Sequence, residues 1–155
     1  MAGEIEARLK ELGIDLPAAS NPVANYVPTV QAGQFLFVSG QIAKAADGTV
    51  MTGSVGGDVT VEEGQKAARL CALNILAQAK AALGSLDRIR QVVRLTGFVN
   101  SGAGFADHPK VVNGASDFFV QVFGDAGRHA RSAVGMGSLP FGVAVEVEAV
   151  AEIRP

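Results

Sequence analysis

An α+β fold, in which a mixed sheet carries two long helices on one of its faces, is what the sequence predicts, and three stretches carry that prediction. Thr60-Val61-Glu62-Glu63 is a capping box ahead of an alanine- and leucine-rich run that Gly84 ends after Leu83. Asp107-His108-Pro109 opens a second helix, with aspartate as N-cap and proline two residues in, and Gly124 closes it. The run Val143 to Ile153 alternates, with Val143, Val145, Val147, Ala149, Ala151 and Ile153 on one face and Glu146, Glu148 and Glu152 on the other. A chain of 155 residues suits one domain, 1–155, and is long enough to bury a core without disulfides or metals.

Taken in order, Ile5, Leu9 and Leu12 repeat at helical spacing and Gly13 stops them, which predicts an amphipathic N-terminal helix at about 4–12. Pro17, Pro22 and Pro28 bracket a polar connection, Ala18 to Asn25, read as an ordered surface loop beside the lone tyrosine, Tyr26. Gln34 to Ser39 is a compact apolar strand that stops at Ser39-Gly40-Gln41. Asp47-Gly48 is a two-residue hairpin signal, so Thr49-Val50-Met51 is expected to return as a strand. Ala68, Cys71, Ala72, Ile75, Ala79 and Ala82 form the apolar stripe of the first long helix. Ile89 to Val99 is β-branched and reads as a strand, followed by a turn at Ser101 to Gly104. Val112, Ala115, Phe119, Val122 and Phe123 face the core from the second helix, and Ala130 to Val134 is a further strand.

Composition narrows the function. With 48% apolar and 18% charged residues the chain is globular and not disordered. A net charge of −2, with basic residues not clustered among aromatics, gives no nucleic-acid platform and no pull toward anionic membranes. Met1 to Leu12 is charged throughout and no run approaches the ~20 apolar residues of a membrane span, so a cytoplasmic location is expected. Cys71 has no partner cysteine and falls in an apolar run, where a free thiol is a small core residue. His108 and His129 are the only histidines, and no metal-ligand spacing surrounds them. His108, at a helix start, reads as a solvated turn residue. No glycine run has phosphate-loop or dinucleotide spacing, and no nucleophile elbow is present.

What remains is the stretch from His129 to Glu148. It places Arg131 and Glu146 on what read as two neighbouring strands joined by a short Gly/Pro-bearing connection. Arg131 has three uses open to it: an ion pair within the fold, a contact across a subunit interface, or a bidentate hold on a small carboxylate. Glu146 alone is one strand glutamate among three. Phe35 to Val38 and Ala130 to Val134 are weakly polar on both faces, while helices are available for only one, so self-association through the uncovered face is expected.

Ser39-Gly40-Gln41-Ile42 after an apolar strand, Val112-Asn113 in the second long helix, Arg131-Ser132 and Val145-Glu146-Val147-Glu148-Ala149 together resemble the reactive-intermediate deaminase (Rid, also YjgF) family, over about Asn21 to Ile153. The resemblance implies a chorismate-mutase-like (YjgF-like) α+β fold and a homotrimer whose sheets form a central β-barrel, with sites in clefts between subunits. It implies hydrolytic deamination of small reactive enamines and imines, such as 2-aminoacrylate and 2-iminobutanoate, to 2-keto acids and ammonia, without metal or cofactor. Arg131 matches the residue that binds the substrate carboxylate and Glu146 the one that positions the attacking water. Tyr26, Ser39, Gly40 and Asn113 match residues lining the same pocket.

The chemistry suits these residue types, because a protonated imine carbon is already electrophilic and needs only an oriented water and a base. Departures from the family pattern are His129 in place of proline or a small residue, Ala133 where many members carry a cysteine or another small residue, Gly135-Met136-Gly137 in place of bulkier residues, and the N-terminal helix. Two other functions are compatible with the resemblance: a trimeric small-carboxylate-binding or regulatory protein without efficient turnover and, ranked below it, a ribonuclease.

Overall fold

A computed structural model describes residues 3–22 and 24–155. Its strands are β1 (Thr29–Ala32), β2 (Phe35–Ile42), β3 (Ile89–Asn100), β4 (Ala130–Met136) and β5 (Val145–Ile153), and its α-helices are α1 (Glu4–Glu11), α2 (Val61–Leu83) and α3 (His108–Phe123). The strands form one mixed sheet in the order β1-β2-β5-β3-β4. β3 and β4 are parallel, as their connection through α3 requires, and the other pairs are antiparallel. β4 and β5 are therefore not neighbours, contrary to the expectation from their short connection: β3 lies between them and β4 is an edge.

The expected α2 is reproduced at both ends. The Glu63 amide donates to Thr60 Oγ1 at 3.1 Å, and Gly84 takes the positive φ of 80° that stops the helix. Ala68, Cys71, Ala72, Ile75 and Ala79 are buried, whereas Ala82 is exposed and Leu83 takes its place. On α3, Phe118 and Phe119 are fully buried, and each contributes about 1.5–3 kcal/mol of apolar burial. The two helices approach so closely that a Cβ on Gly114 would strike the Gln65 carbonyl. Beneath them, Val145, Val147, Ala149, Ala151 and Ile153 of β5 are buried, as their alternation predicts. On the opposite face Val30, Phe35, Phe37 and Val134 stay exposed, so the helices cover one side of the sheet only.

Two local readings are corrected. The hairpin partner of β2 is β1, which precedes it and turns back through Gly33-Gln34, with Gly33 at φ 60°. The Asp47-Gly48 turn does form, with the Thr49 amide on Asp47 Oδ1 at 2.9 Å and Gly48 at φ 90°. Its return over Thr49-Val50-Met51 yields only the isolated bridge Lys44↔Val50 and no strand. β2 also continues past Ser39 to Ile42, across a bulge between Val38 and Gln41. The loop Ala18 to Asn25 is held by Gln78, whose Nε2 donates to the Ser20 carbonyl at 2.6 Å; Val23 in that loop lies outside the described residues.

The helix α1 is capped from a distance. Its N-cap, Gly3, offers no side chain, and Asp87 receives the Glu4 and Ile5 amides on its two carboxylate oxygens, both at 2.9 Å. Glu6 returns the contact by accepting the Leu86 amide at 3.0 Å. Removing an N-cap acceptor costs about 0.5–2 kcal/mol, so Asp87→Ala should lower stability by that amount and selectively speed amide exchange in the first turn of α1. Hydrogen exchange read by mass spectrometry over residues 3–12 checks this; unchanged protection there would contradict it. Among the described residues no helix is long and apolar enough to cross a membrane.

Candidate active site

Arg131 sits opposite Leu95 in the β3–β4 register, on the face that the helices cover. Asn113 and Ser116, three apart on α3 and so on one side of it, both reach the same guanidinium nitrogen. Arg131 Nη1 donates to Asn113 Oδ1 at 2.8 Å and to Ser116 Oγ at 3.1 Å. Among the described residues no carboxylate lies within 4.0 Å of this half-buried guanidinium. The within-fold ion pair is thus removed from its three uses. An open cleft of about 680 Å³ lies beside it, with Asn113, Ser116, His129 and Arg131 in its wall.

His129 joins the same cluster. Its Nε2 is 2.8 Å from Ser116 Oγ and its Nδ1 is 2.7 Å from the Gly127 carbonyl oxygen. Burial, reinforced by the Arg131 charge, holds its pKa below the usual histidine value against the opposing pull of the Gly127 bond. The imidazole is therefore neutral at pH 7. Neither Ser116 nor this use of His129 was read from the sequence; the signal available was Ser116 three residues beyond Asn113.

Glu146 is built differently. It lies opposite Phe98 on β3 and Ile42 on β2. Arg131 and Glu146 are thus registered to β3 residues three apart, an odd separation that puts them on opposite faces of the sheet. One chain does not bring them together. The β2 bulge sets Gly40 against Glu146, where an added Cβ would come within 2.8 Å of Oε2, so the glycine leaves the carboxylate its space. Ser39 Oγ donates to the Val27 carbonyl at 2.9 Å and its amide to the Pro28 carbonyl at 2.9 Å, which fastens the exposed Tyr26 segment to β2. Glu146 is half-buried, and its pKa is raised first by desolvation and then by the charge of Glu148 on the same face.

Two further residues resolve. Cys71 is buried and donates to the Val145 carbonyl at 3.4 Å, and burial pushes its thiol far up, which makes it an inert core residue as expected. His108 is not a solvated turn residue: it is half-buried, 3.2 Å from Ser101 Oγ, with the Phe105 ring edge-on at 5.1 Å. A side chain at Gly135 would strike His108 Nε2, so the small residue in the β4 tail is matched to this pair.

The chain's mixed sheet carries Arg131 on its edge strand β4 and the half-buried Glu146 on β5, with β3 between them, in an α+β fold of the chorismate-mutase-like class. The chain belongs to the family described as "YjgF/chorismate_mutase-like, putative endoribonuclease", whose model matches residues 6–153. It is 53% identical over 154 residues to Protein TCP17 of Trypanosoma cruzi, covering 99% of this chain and 96% of that one. It is 28% identical over 142 residues to a 2-iminobutanoate/2-iminopropanoate deaminase of Dermatophagoides farinae, covering 91% and 95%. Among solved structures it resembles Atu1372 from Agrobacterium tumefaciens, a protein of unknown function, at 53% identity and TM-score 0.90, covering 97% and 92%.

Proposed function

We propose that this protein hydrolyses small enamine or imine carboxylates of the 2-aminoacrylate or 2-iminobutanoate type to 2-keto acids and ammonia. The observation that carries the reading is Arg131, a half-buried cation held by neutral partners only, with an open cleft beside it. Such a guanidinium suits an incoming carboxylate, which supplies the charge the fold withholds. Glu146 suits the second role, because a carboxylate with a raised pKa is a better proton acceptor near neutrality. As a water oxygen bonds to the imine carbon, Glu146 takes the water proton. The proton then returns to nitrogen. The C–N bond breaks as the hydroxyl oxygen forms the C=O bond and gives its remaining proton to Glu146, so ammonia leaves and one water is consumed for each keto acid formed. An enamine first takes a proton at carbon to become the imine.

The separation of the two residues supports a shared site. Arg131 and Asn113 come from one copy, while Glu146, Gly40, Ser39 and Tyr26 come from its neighbour, in a homotrimer whose exposed sheet faces, with Val30, Phe35, Phe37 and Val134, close into a central barrel. A second reading draws on the same separation: carboxylate binding needs only the Arg131 side, so a binding protein could keep that half and lose turnover.

Both are tested by ammonia and keto-acid release from freshly generated 2-iminobutanoate, beside calorimetric binding of 2-ketobutyrate. Turnover above the uncatalysed rate is expected, and binding without it favours the second reading. Co-refolding equal amounts of Arg131→Ala and Glu146→Gln chains should restore roughly one quarter of the wild-type sites, because random mixing places an intact arginine against an intact glutamate that often. Sites formed within one chain would restore none.

A further inference from the structure

Arg131 can orient a carboxylate only if its planar fork is held in one attitude. The bonds around it fix a direction for every proton. The Gly127 carbonyl can only accept, so His129 Nδ1 carries the imidazole proton and donates it at 2.7 Å. In the neutral ring Nε2 is then a bare acceptor, and the Ser116 hydroxyl, 2.8 Å away, must donate to it. With its proton spent there, Ser116 Oγ turns lone pairs toward Arg131 Nη1, 3.1 Å away. Asn113 Oδ1 accepts from the same nitrogen at 2.8 Å, so Nη1 is the anchored corner and Nε and Nη2 form the edge left to a ligand.

We infer that His129 is a positioning residue for Arg131: acting through the Ser116 hydroxyl, it locks the guanidinium with its Nε/Nη2 edge presented to the substrate carboxylate. The inference rests on the carboxylate-binding role proposed above for Arg131. The surroundings keep the imidazole an acceptor. From α3 it meets Ser116 and the Phe119 ring, edge-on at 6.4 Å, with Asp117 further along the same cleft. From the turn before β4 comes Arg128, whose Nε faces Asp125 at 3.7 Å. From β4 comes Arg131 itself, whose charge opposes protonation of the ring. A charged His129 would donate to Ser116 and set a second cation beside the one that binds substrate.

The test uses the full-length protein and 2-ketobutyrate as probe. His129→Phe keeps the ring and removes both bonds, and Ser116→Ala removes the link. Each should weaken 2-ketobutyrate binding on the order of tenfold, as expected for a lost hydrogen bond to a charged group. The double variant should bind no worse than either single one, because both act through one chain of bonds. His129→Gln, whose amide oxygen can accept from Ser116, should recover most of the affinity. With 2-iminobutanoate the loss should fall on KM more than on kcat.

If Arg131→Ala abolishes binding while His129→Phe leaves it intact, the function stands and this inference falls. If Arg131→Ala itself binds normally, both fall. A reading independent of ligand and of variant folding is the ¹⁵N tautomer pattern of wild-type His129, which must show Nδ1–H at neutral pH. The Nε2–H form would overturn the inference.

Discussion

Replacing Glu146 with glutamine should slow imine hydrolysis by about 10²–10⁴-fold, the usual worth of a positioned general base, while 2-ketobutyrate still binds. Glutamine keeps the size and fits beside Gly40, but it cannot take a proton from water. The same change should stabilise the fold of the separated chain at neutral pH, where no neighbouring Arg131 faces Glu146. Desolvation and Glu148 raise the Glu146 pKa in the folded chain, so its charged form is disfavoured there relative to the unfolded chain. That penalty is absent below the ordinary glutamate pKa. It grows as pH rises toward the raised folded value and is complete above it. Denaturant melts at a series of pH values should therefore show Glu146→Gln gaining on wild type as pH increases. A gap that is constant with pH would contradict the raised pKa, and a variant that hydrolyses 2-iminobutanoate at the wild-type rate would remove Glu146 from the mechanism.

Arg131→Ala should lower kcat/KM for 2-iminobutanoate by roughly 10²–10³, within the 2–5 kcal/mol lost when one member of a desolvated charge pair is truncated. The fold should survive, because the loss leaves Asn113 Oδ1 and Ser116 Oγ one donor short, a cost of about 1–3 kcal/mol for each unsatisfied group if water does not replace it. Arg131→Lys should not recover the activity. An ammonium is a point donor and cannot hold Asn113 and Ser116 from one nitrogen while offering a planar edge to a carboxylate. Steady-state assays beside thermal melts separate lost chemistry from lost structure. Equal rates for wild type and Arg131→Ala on carboxylate-bearing imines would refute the assignment.

Those elements whose ends are written in local chemistry are legible in the sequence. Thr60, Glu63 and Gly84 bound α2 as the capping rules require, and the alternation of β5 picked out its buried valines and alanines without error. β1 has no such mark, because the four residues after Pro28 are too short a run to read as a strand alone, and only pairing with β2 makes them one. The relation of Arg131 to Glu146 is hidden from the sequence for a different reason. A short connection suggests adjacent strands, but β3 is inserted between them, and the small residues of β4 mark no clear inner face. Which side a residue such as Arg131 takes is then decided by Asn113 and Ser116, eighteen and fifteen positions away, and no local pattern records that choice. The resemblance nominates candidate site residues; the register of the sheet puts Arg131 and Glu146 on opposite faces.

Under the proposed function, that division makes catalysis a matter of mass action. A separated chain carries both charges, yet the sheet stands between them, so under the proposed function a correctly folded monomer is silent. Specific activity should then fall on dilution with the midpoint of subunit dissociation, while secondary structure stays constant. It also makes the sheet edges and the exposed Val30, Phe35 and Phe37 places where a substitution far from any substrate should abolish the proposed activity without unfolding the chain.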